Sequence, residues 1–455
     1  MLGGTFIQGG GLYLCAIFIP WILCRRQLGF HKNLANQFLK IGLGFILTFS
    51  MFPLTNLLGF FSAQTEPFAI SLASKPLPIP KLLDSHFSSA VFGTGVMFIL
   101  LSFFLRLNRS QKQQSSTVQE PLFLSFTIGT LTASCFLGVY LFFQHYTGFD
   151  YKAIGFKLEP AKQLVSSNSY RTLGFFSHPL SLAGGSLTIF TFFWSLCCMS
   201  LSKGKQNNKM SHADYLNKNY RWLYLCIAGL HLSFIILSGG RFAILLSICI
   251  LTLSLLLTPL PRTFRYAKLG LMTLALSASA ILTIHSGVLV RFQELKLLWQ
   301  HDQLDRLKFW QVHWQMILDQ PWIGHGYAWL KHYKRDLYYN HLGYEHLANK
   351  YNAHNLYLEI LANSGILGML GVLSGLSIII ISFKDLSKDT QQQALFSSLM
   401  IALFANLANG MTQNSLFDSN IIYIYLFMIW VLTWNLLLTS SKKLSYQNSP
   451  SDKHL

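Results

Sequence analysis

The sequence predicts an all-α polytopic membrane protein with about eleven transmembrane helices, in the range ten to twelve. It also predicts one large loop on the outer face that contains short helices. Of its 455 residues, 52% are hydrophobic and 11% are charged, whereas a soluble domain has about 25% charged residues. Apolar runs long enough to cross a hydrocarbon layer recur along the chain. The basic residues, which give a net charge of +18, lie between these runs and indicate membrane topology rather than nucleic-acid binding.

Eleven apolar segments predict spans, and no Lys or Arg lies in the middle of any of them. This distribution is expected because a charge at the bilayer centre costs about 2.5–3.5 kcal/mol or more. The segments are 3–24, 39–61, 88–105, 121–145, 180–202, 221–238, 242–258, 267–286, 356–382, 393–411 and 420–439. The first has no charged leader and no small-residue cleavage site, so we interpret it as a span rather than a removed signal. A re-entrant or additional segment in the Pro-rich stretch 62–86 would change the count.

The distribution of basic residues predicts the orientation. The stretches 25–40, 106–120, 203–221, 259–268, 383–392 and 440–455 together hold 20 Lys and Arg. The opposite face holds 15, of which 8 lie in the long loop 287–355, and long loops have little weight in the positive-inside rule. We therefore expect a cytoplasmic C-terminus and, with eleven spans, an external N-terminus.

The chain divides into four parts along its length. Residues 1–286 hold eight predicted helices with outer loops 62–87 and 146–179, residues 287–355 form the large outer loop, residues 356–439 hold three more helices, and residues 440–455 form a cytoplasmic tail. All seven cysteines lie in or at the ends of predicted spans. A disulfide framework is therefore not expected.

Two outer loops, 146–179 and 287–355, are longer than connectors usually are, which favours a functional role. The second holds five tryptophans: Trp299, Trp310, Trp314, Trp322 and Trp329. Its apolar residues recur at three- and four-residue spacing between Asp305 and Pro321, which predicts a short helix. The predicted apolar stripe is Leu307, Trp310, Trp314, Ile317 and Leu318, and the other face carries Arg306, Lys308, His313 and Gln315. Such a helix can lie in the headgroup layer or pack on the tops of the spans.

Three arginines lie on the predicted outer face close to spans: Arg171, Arg241 and Arg291. Arg241 follows Ser238-Gly239-Gly240 at the junction of two predicted spans. A single arginine at such a boundary is typically an anchor whose charged end reaches water. Three of them on one face favour an anion site instead, because guanidinium groups bind phosphate oxygens through two parallel hydrogen bonds.

His354 stands at the predicted N-terminal end of the span 356–382. The free backbone N–H groups and the positive dipole of a helix N-terminus favour a phosphate there. The same dipole disfavours imidazolium, so the ring stays neutral and can accept a proton. The loop 287–355 has six other histidines but no HExxH pattern and no set of carboxylate ligands. We therefore predict neither a metal nor a cofactor.

Four motifs follow one another in a fixed order along the chain. They are Arg171-x-x-Gly174-x-Phe176…Pro179, Arg291-x3-Leu295, Arg306…Trp310…Pro321-x-x-Gly324-x-Gly326 and His354-Asn355-x9-Gly365-x-x-Gly368. In this order and topology, over roughly residues 165–380, they resemble the O-antigen ligase and polymerase superfamily of bacterial envelope glycosyltransferases. His178 departs from the family pattern, which more often has Asn before this proline.

The resemblance implies a multi-helix fold in the bacterial inner membrane, with the large periplasmic loop covering a cavity open to the outer leaflet. It implies metal-independent, inverting transfer of a glycan from an undecaprenyl-diphosphate-linked donor. Arg171, Arg241 and Arg291 would bind the diphosphate, and Arg291 and His354 would be catalytic, His354 as the general base. Asn355 and Tyr351 would orient substrate. Gly365 and Gly368 would allow close approach of helices.

The sequence leaves several alternatives for the molecule that accepts the glycan. A ligase uses a sugar hydroxyl of lipid A–core, a polymerase uses another lipid-linked repeat, and a third branch glycosylates proteins. The single large loop late in the chain favours the ligase. We also expect the protein to contact membrane lipids, and we expect no nucleic acid as a partner. A lipid-linked glycan flippase or transporter is the alternative of another class. It is disfavoured because Glu359 is the only carboxylate within a predicted span, whereas transporters place ionisable groups at mid-membrane.

Overall fold

The computed structural model describes residues 36–47, 119–149, 164–166, 169–174, 176, 178–202, 212–257, 305–326, 335–347, 353–386 and 390–413, with a few isolated positions. The predicted spans 3–24 and 88–105 lie outside these residues, as do nearly all of 267–286 and 420–439. The predicted count of about eleven spans therefore remains a prediction.

The described part of the chain is helical apart from one small hairpin. Helix α1 is seen over residues 36–47. The later helices are α2 (Gln119–Thr147), α3 (Pro179–Ser202), α4 (His212–Ser238), α5 (Arg241–Leu257), α6 (Asp305–Asp319), α7 (Arg335–His341), α8 (Leu356–Leu386) and α9 (Thr390–Asn409). The hairpin pairs β1 (Leu164–Ser166) with β2 (Ser169–Tyr170) in antiparallel register. A 3₁₀ turn, Glu345–Leu347, follows α7.

Four helices of the described part are long and apolar enough to cross a membrane: Phe126–Thr147, Pro179–Ser200, Tyr220–Ser238 and Leu356–Leu386. They confirm the predicted spans at 121–145, 180–202, 221–238 and 356–382. Helix α5 is a shorter apolar helix, and α9 covers the predicted span 393–411 without being among these four. The described positions within residues 287–355 form short helices, α6, α7 and the 3₁₀ turn, while the large outer loop itself remains a prediction.

The chain divides into two compact units, neither of which is continuous in sequence. Helices α1, α6, α7 and α8 belong to the first unit. The hairpin and helices α2, α3, α4, α5 and α9 belong to the second. In the second unit α3 is the central span, since 89% of its most apolar stretch is buried, whereas only 22% of the corresponding stretch of α2 is buried. Thr188 in the middle of α3 accepts a hydrogen bond from the Asn406 amide of α9.

In the first unit, α6 packs on the opening turns of α8. Its core consists of Phe309, Val312, Met316, Ile317, Tyr339, Leu347 and Ala362, with Leu358 and Leu361 of α8 against it. Helix α6 therefore packs against a span, one of the two placements left open by the sequence, but mainly through other residues than the predicted stripe. Burial of these apolar side chains stabilises the unit by about 1.5–3 kcal/mol for each large one.

The predicted apolar stripe of α6 is correct at Ile317, which is buried in the core, and at Trp310, which packs against it, but it is wrong at the other three positions. Leu307, Trp314 and Leu318 are 45%, 54% and 56% exposed, whereas Phe309, Val312 and Met316 form the buried side. Helix α6 has apolar residues on two sides, so spacing alone does not decide between them. His313, which we expected on the polar face, is fully buried because it faces the buried carboxylate of Glu359.

Candidate functional site

In the second unit, the C-terminal end of α2 holds the segment that carries Arg171. The side-chain oxygen of Gln144 accepts hydrogen bonds from the backbone N–H groups of Leu173 and Gly174, both at 2.9 Å. His145 Nδ1 lies 2.7 Å from the carbonyl oxygen of Tyr170 and donates to it, since a carbonyl only accepts. The sequence analysis missed both residues, although a buried Gln-His pair at the end of an apolar helix is a signal that a polar partner follows.

Arg171 connects this segment to the turn between α4 and α5. Its Nε donates a 2.6 Å hydrogen bond to the carbonyl oxygen of Ser238, three residues before Arg241 opens α5. The structure therefore brings the two predicted diphosphate-binding residues Arg171 and Arg241 to the same end of the unit. Both side chains are half-buried. Because the bond uses Nε, it fixes the plane of the Arg171 guanidinium.

The turn before Arg241 depends on its two glycines. Gly239 has a φ of 66°, a left-handed conformation that glycine adopts without steric cost. A Cβ atom on Gly240 would lie 2.8 Å from the Cβ of Ala183, so α3 packs directly against this backbone. The Ser238 hydroxyl accepts the N–H of Gly240 at 3.2 Å and closes the turn. Arg241 is thus placed by local backbone geometry together with contact to α3.

Arg291 and Tyr351 lie outside the described residues. Their predicted roles in diphosphate binding, catalysis and substrate orientation remain predictions.

His354 belongs to the first unit and has an unusual backbone. Its φ of 50° makes it the one non-glycine residue with positive φ in the described ranges, and such strain persists only where neighbours hold it in place. The preceding residue is held on both sides. The N–H of Ala353 donates to Glu359 Oε2 at 3.0 Å, and the Ala353 carbonyl accepts from Trp310 Nε1 at 3.1 Å. The His354 ring, half-buried, lies beside Phe309 with ring centroids 6.0 Å apart.

The backbone N–H groups that we expected to bind phosphate at the start of α8 are already used. Asn355 Oδ1 accepts the N–H groups of Tyr357 and Leu358 at 3.0 and 3.2 Å, which makes Asn355 the N-cap of the helix. The N–H of Leu356 donates to the carbonyl of Gly410 at 2.7 Å. The expectation of a phosphate bound by these groups is therefore wrong, because the protein itself satisfies them.

Beneath His354 lies a buried pair that sequence reasoning did not find. His313 Nε2 is 3.4 Å from Glu359 Oε2, and both side chains have no solvent exposure. His313 Nδ1 lies 2.8 Å from the Phe309 carbonyl, and Asn363 Nδ2 lies 3.3 Å from Glu359 Oε1. The available signal was Glu359 itself, since a carboxylate in an apolar helix needs a partner.

Helix α8 breaks at Gly365, where φ is 62° and ψ is −167°, and the turn after α6 fills the break. The N–H groups of Ile366 and Leu367 donate to the carbonyls of Pro321 and Trp322 at 2.8 and 3.1 Å. In return, the turn donates two N–H groups to the carbonyls of Ala362 and Asn363 at 3.0 and 2.7 Å, from residues 325 and 326. We expected Gly365 to allow approach of a helix. The structure corrects this expectation, because the backbone that approaches is that of the loop.

Within the described ranges, no three His, Cys, Asp or Glu side chains group as metal ligands. Two of the described histidines of the loop, His313 and His325, are buried in the protein interior, whereas His341 and His346 are exposed. His325, for example, is buried and places Nε2 2.9 Å from the Met316 carbonyl. This bond ties the turn after α6 to the helix before it.

The sequence is also similar to a known protein family. A family model described as O-antigen ligase matches residues 226–373. The match includes Arg241, Arg291 and His354, and the segment of Arg171 precedes it. A search of curated proteins gives no match. The membrane-spanning helices and the ordered motifs agree with this match, so residues 226–373 are similar to the O-antigen ligase family.

Proposed function

We propose that the protein is a glycosyltransferase of the ligase type, which moves a polysaccharide from undecaprenyl diphosphate to a sugar hydroxyl of lipid A–core. The O-antigen ligase match over residues 226–373 is the observation that carries this proposal. It is supported by the Arg171–Ser238 bond, which places two arginines at one end of the second unit, and by the held conformation of His354.

The proposed step breaks the bond between the anomeric carbon and the diphosphate oxygen. The acceptor hydroxyl oxygen attacks that carbon, its proton passes to a nitrogen of His354, and the electron pair of the broken bond leaves on the diphosphate. General-base catalysis of this kind contributes about 10²–10⁴ in rate. Arg171, Arg241 and Arg291 stabilise the negative charge that grows on the leaving group. We assign no metal or cofactor to the step, since these arginines supply positive charge.

The reaction is assigned to the periplasmic face of the inner membrane. The positive-inside count predicts a cytoplasmic C-terminus, and on that orientation Ser238, Arg241 and His354 all lie at outer helix ends. Tyr351 and the Asn355 amide are proposed to orient substrate. The donor is a lipid-linked glycan, and lipid A–core is the acceptor.

The experiment is a lipopolysaccharide gel on a host from which the gene is deleted, complemented with variants of the chain. We expect wild type to restore the polymer ladder and His354→Ala to leave polymer on undecaprenyl diphosphate. His346→Ala is the matched control, because His346 is an exposed histidine of the same unit. Accumulation of core bearing a single repeat would identify a polymerase instead. A restored ladder with His354→Ala would refute the assigned base.

A further inference from the structure

In the described part of the first unit, Glu359 and His313 form a fully buried pair of ionisable side chains. The proposed transfer step does not use them. Neither side chain has any solvent exposure, so neither can touch a substrate. Yet Glu359 Oε2 also accepts the N–H of Ala353, the residue before His354. The pair is therefore connected to the proposed base through one peptide unit.

The hydrogen-bond chemistry of His313 determines where its protons lie. Its Nδ1 faces the Phe309 carbonyl at 2.8 Å, and a carbonyl oxygen only accepts, so Nδ1 carries a proton. Its Nε2 faces Glu359 Oε2 3.4 Å away, and both side chains are fully buried.

The same carboxylate shapes the backbone at His354. The Ala353 N–H donates to Glu359, and the Ala353 carbonyl accepts from Trp310 of α6. These two bonds fix the peptide units on either side of Ala353, immediately before the left-handed residue His354. A left-handed conformation is sterically unfavourable for a non-glycine residue, so it needs such support. The carboxylate keeps its position because His313 faces it.

We propose that the buried Glu359–His313 pair is a positioning device that holds Ala353, and through it the left-handed backbone of His354, in the conformation needed for catalysis. Glu359 and His313 are thus positioning residues, and the proposal rests on the proposed function of His354 as base. It predicts that a neutral side chain that keeps an acceptor oxygen can replace the carboxylate. Glu359→Gln, with its oxygen at the Oε2 position, keeps the acceptor for the Ala353 N–H, and His313 Nε2 faces that same oxygen.

The decisive variant replaces both members of the pair by leucine, H313L together with E359L. Apolar replacement of a buried pair often leaves a protein folded, but it removes the acceptor for the Ala353 N–H. Gln315→Ala is the matched control, since Gln315 lies on α6 two residues from His313 and donates to Asp319 on the exposed side. Full-length protein in nanodiscs is compared by hydrogen–deuterium exchange over the peptide that contains 353–355, and by transfer rate.

We expect faster exchange at 353–355 in the double leucine variant and wild-type exchange in Glu359→Gln and Gln315→Ala. We expect kcat to fall about 10²-fold in the double leucine variant, the effect of misplacing a reacting group by about 1 Å, with the donor KM unchanged. Adding His354→Ala to that variant should not lower kcat below that of His354→Ala alone, because both changes act through His354.

Unchanged exchange at 353–355 in the double leucine variant would overturn the positioning role, whatever the activity. A further loss of kcat on adding the leucines to His354→Ala would also overturn it, since the pair would then act elsewhere. Full activity of His354→Ala would refute the proposed base alone. The exchange measurement would still decide whether the pair holds the segment.

Discussion

A Cβ atom at Gly365 would lie 2.4 Å from the carbonyl carbon of Trp322, so the loop turn and the break in α8 exist only together. At the other contact, a Cβ on Gly324 would lie 2.5 Å from the backbone nitrogen of Ser364. The turn also supplies the carbonyls that the broken helix lacks. Non-helical backbone in a membrane helix is tolerated where such partners are present. The loop after α6 is therefore part of the structure of α8.

Gly365→Ala should destabilise the protein more than Gly343→Ala. Both glycines have positive φ, which costs alanine about 1–2 kcal/mol, but Gly343 has open space around its Cβ position. Only Gly365→Ala must also displace the backbone of the turn. The thermal unfolding midpoint in detergent measures the difference, and equal midpoints for the two variants would contradict the close packing.

Arg171→Lys should lower transfer by about 10–10³-fold. Lysine keeps the charge, but it has no Nε to donate to Ser238 and no planar fork for a phosphate. Arg221→Lys, at the other end of the α4 span, is the control. The ratio of polymer on core to polymer on the lipid carrier is the measurement. Wild-type transfer with Arg171→Lys would show that charge alone suffices.

Gln144→Leu should loosen the Arg171 segment. Two backbone N–H groups lose their acceptor, and each buried unsatisfied group costs about 1–3 kcal/mol. Hydrogen exchange at residues 173–174 should rise, and transfer should fall with it. Thr132→Ala is the control, because Thr132 is exposed on the same helix and its hydroxyl donates to the carbonyl of Ile128. This variant should change neither the exchange at 173–174 nor the transfer. Unchanged exchange with Gln144→Leu would refute the anchoring role.

Variants of Asn355 separate its two roles. Asn355 is the N-cap of α8. Asn355→Asp keeps the acceptor oxygen and should preserve the stability of the protein, whereas Asn355→Ala should lower the free energy of unfolding by about 0.5–2 kcal/mol. If the amide also orients substrate, Asn355→Asp should keep the unfolding midpoint but raise the KM of donor or acceptor. A wild-type KM in a stable Asn355→Asp variant would leave capping as the whole role of this residue.

Several of these features could be predicted from the sequence because they depend on local pattern. The spans at α2, α3, α4 and α8 follow from runs of apolar residues, since crossing a bilayer is a requirement on composition and length. The helix at α6 follows from its spacing, and the turn after it from Pro321 and the glycines beyond. The resemblance to the O-antigen ligase family follows from the order of the motifs.

Other features depend on long-range contacts that no local pattern contains. The apolar stripe predicted for α6 was wrong at Leu307, Trp314 and Leu318 because that helix has two apolar sides, and only its packing on α8 and the pairing of His313 with Glu359 decide between them. The free N–H groups expected at His354 are used by Asn355 and Gly410.

By itself, the sequence determined that this is a helical membrane protein that resembles the O-antigen ligase superfamily over part of its length, with arginines and a histidine at predicted outer helix ends. Tertiary structure alone decided that Arg171 bonds to the turn before Arg241, that Gly365 receives a loop, and that a buried Glu–His pair lies beneath His354. The physical reason is that hydropathy and spacing act along the chain. Satisfying a buried polar group depends on which distant residue lies within hydrogen-bond distance.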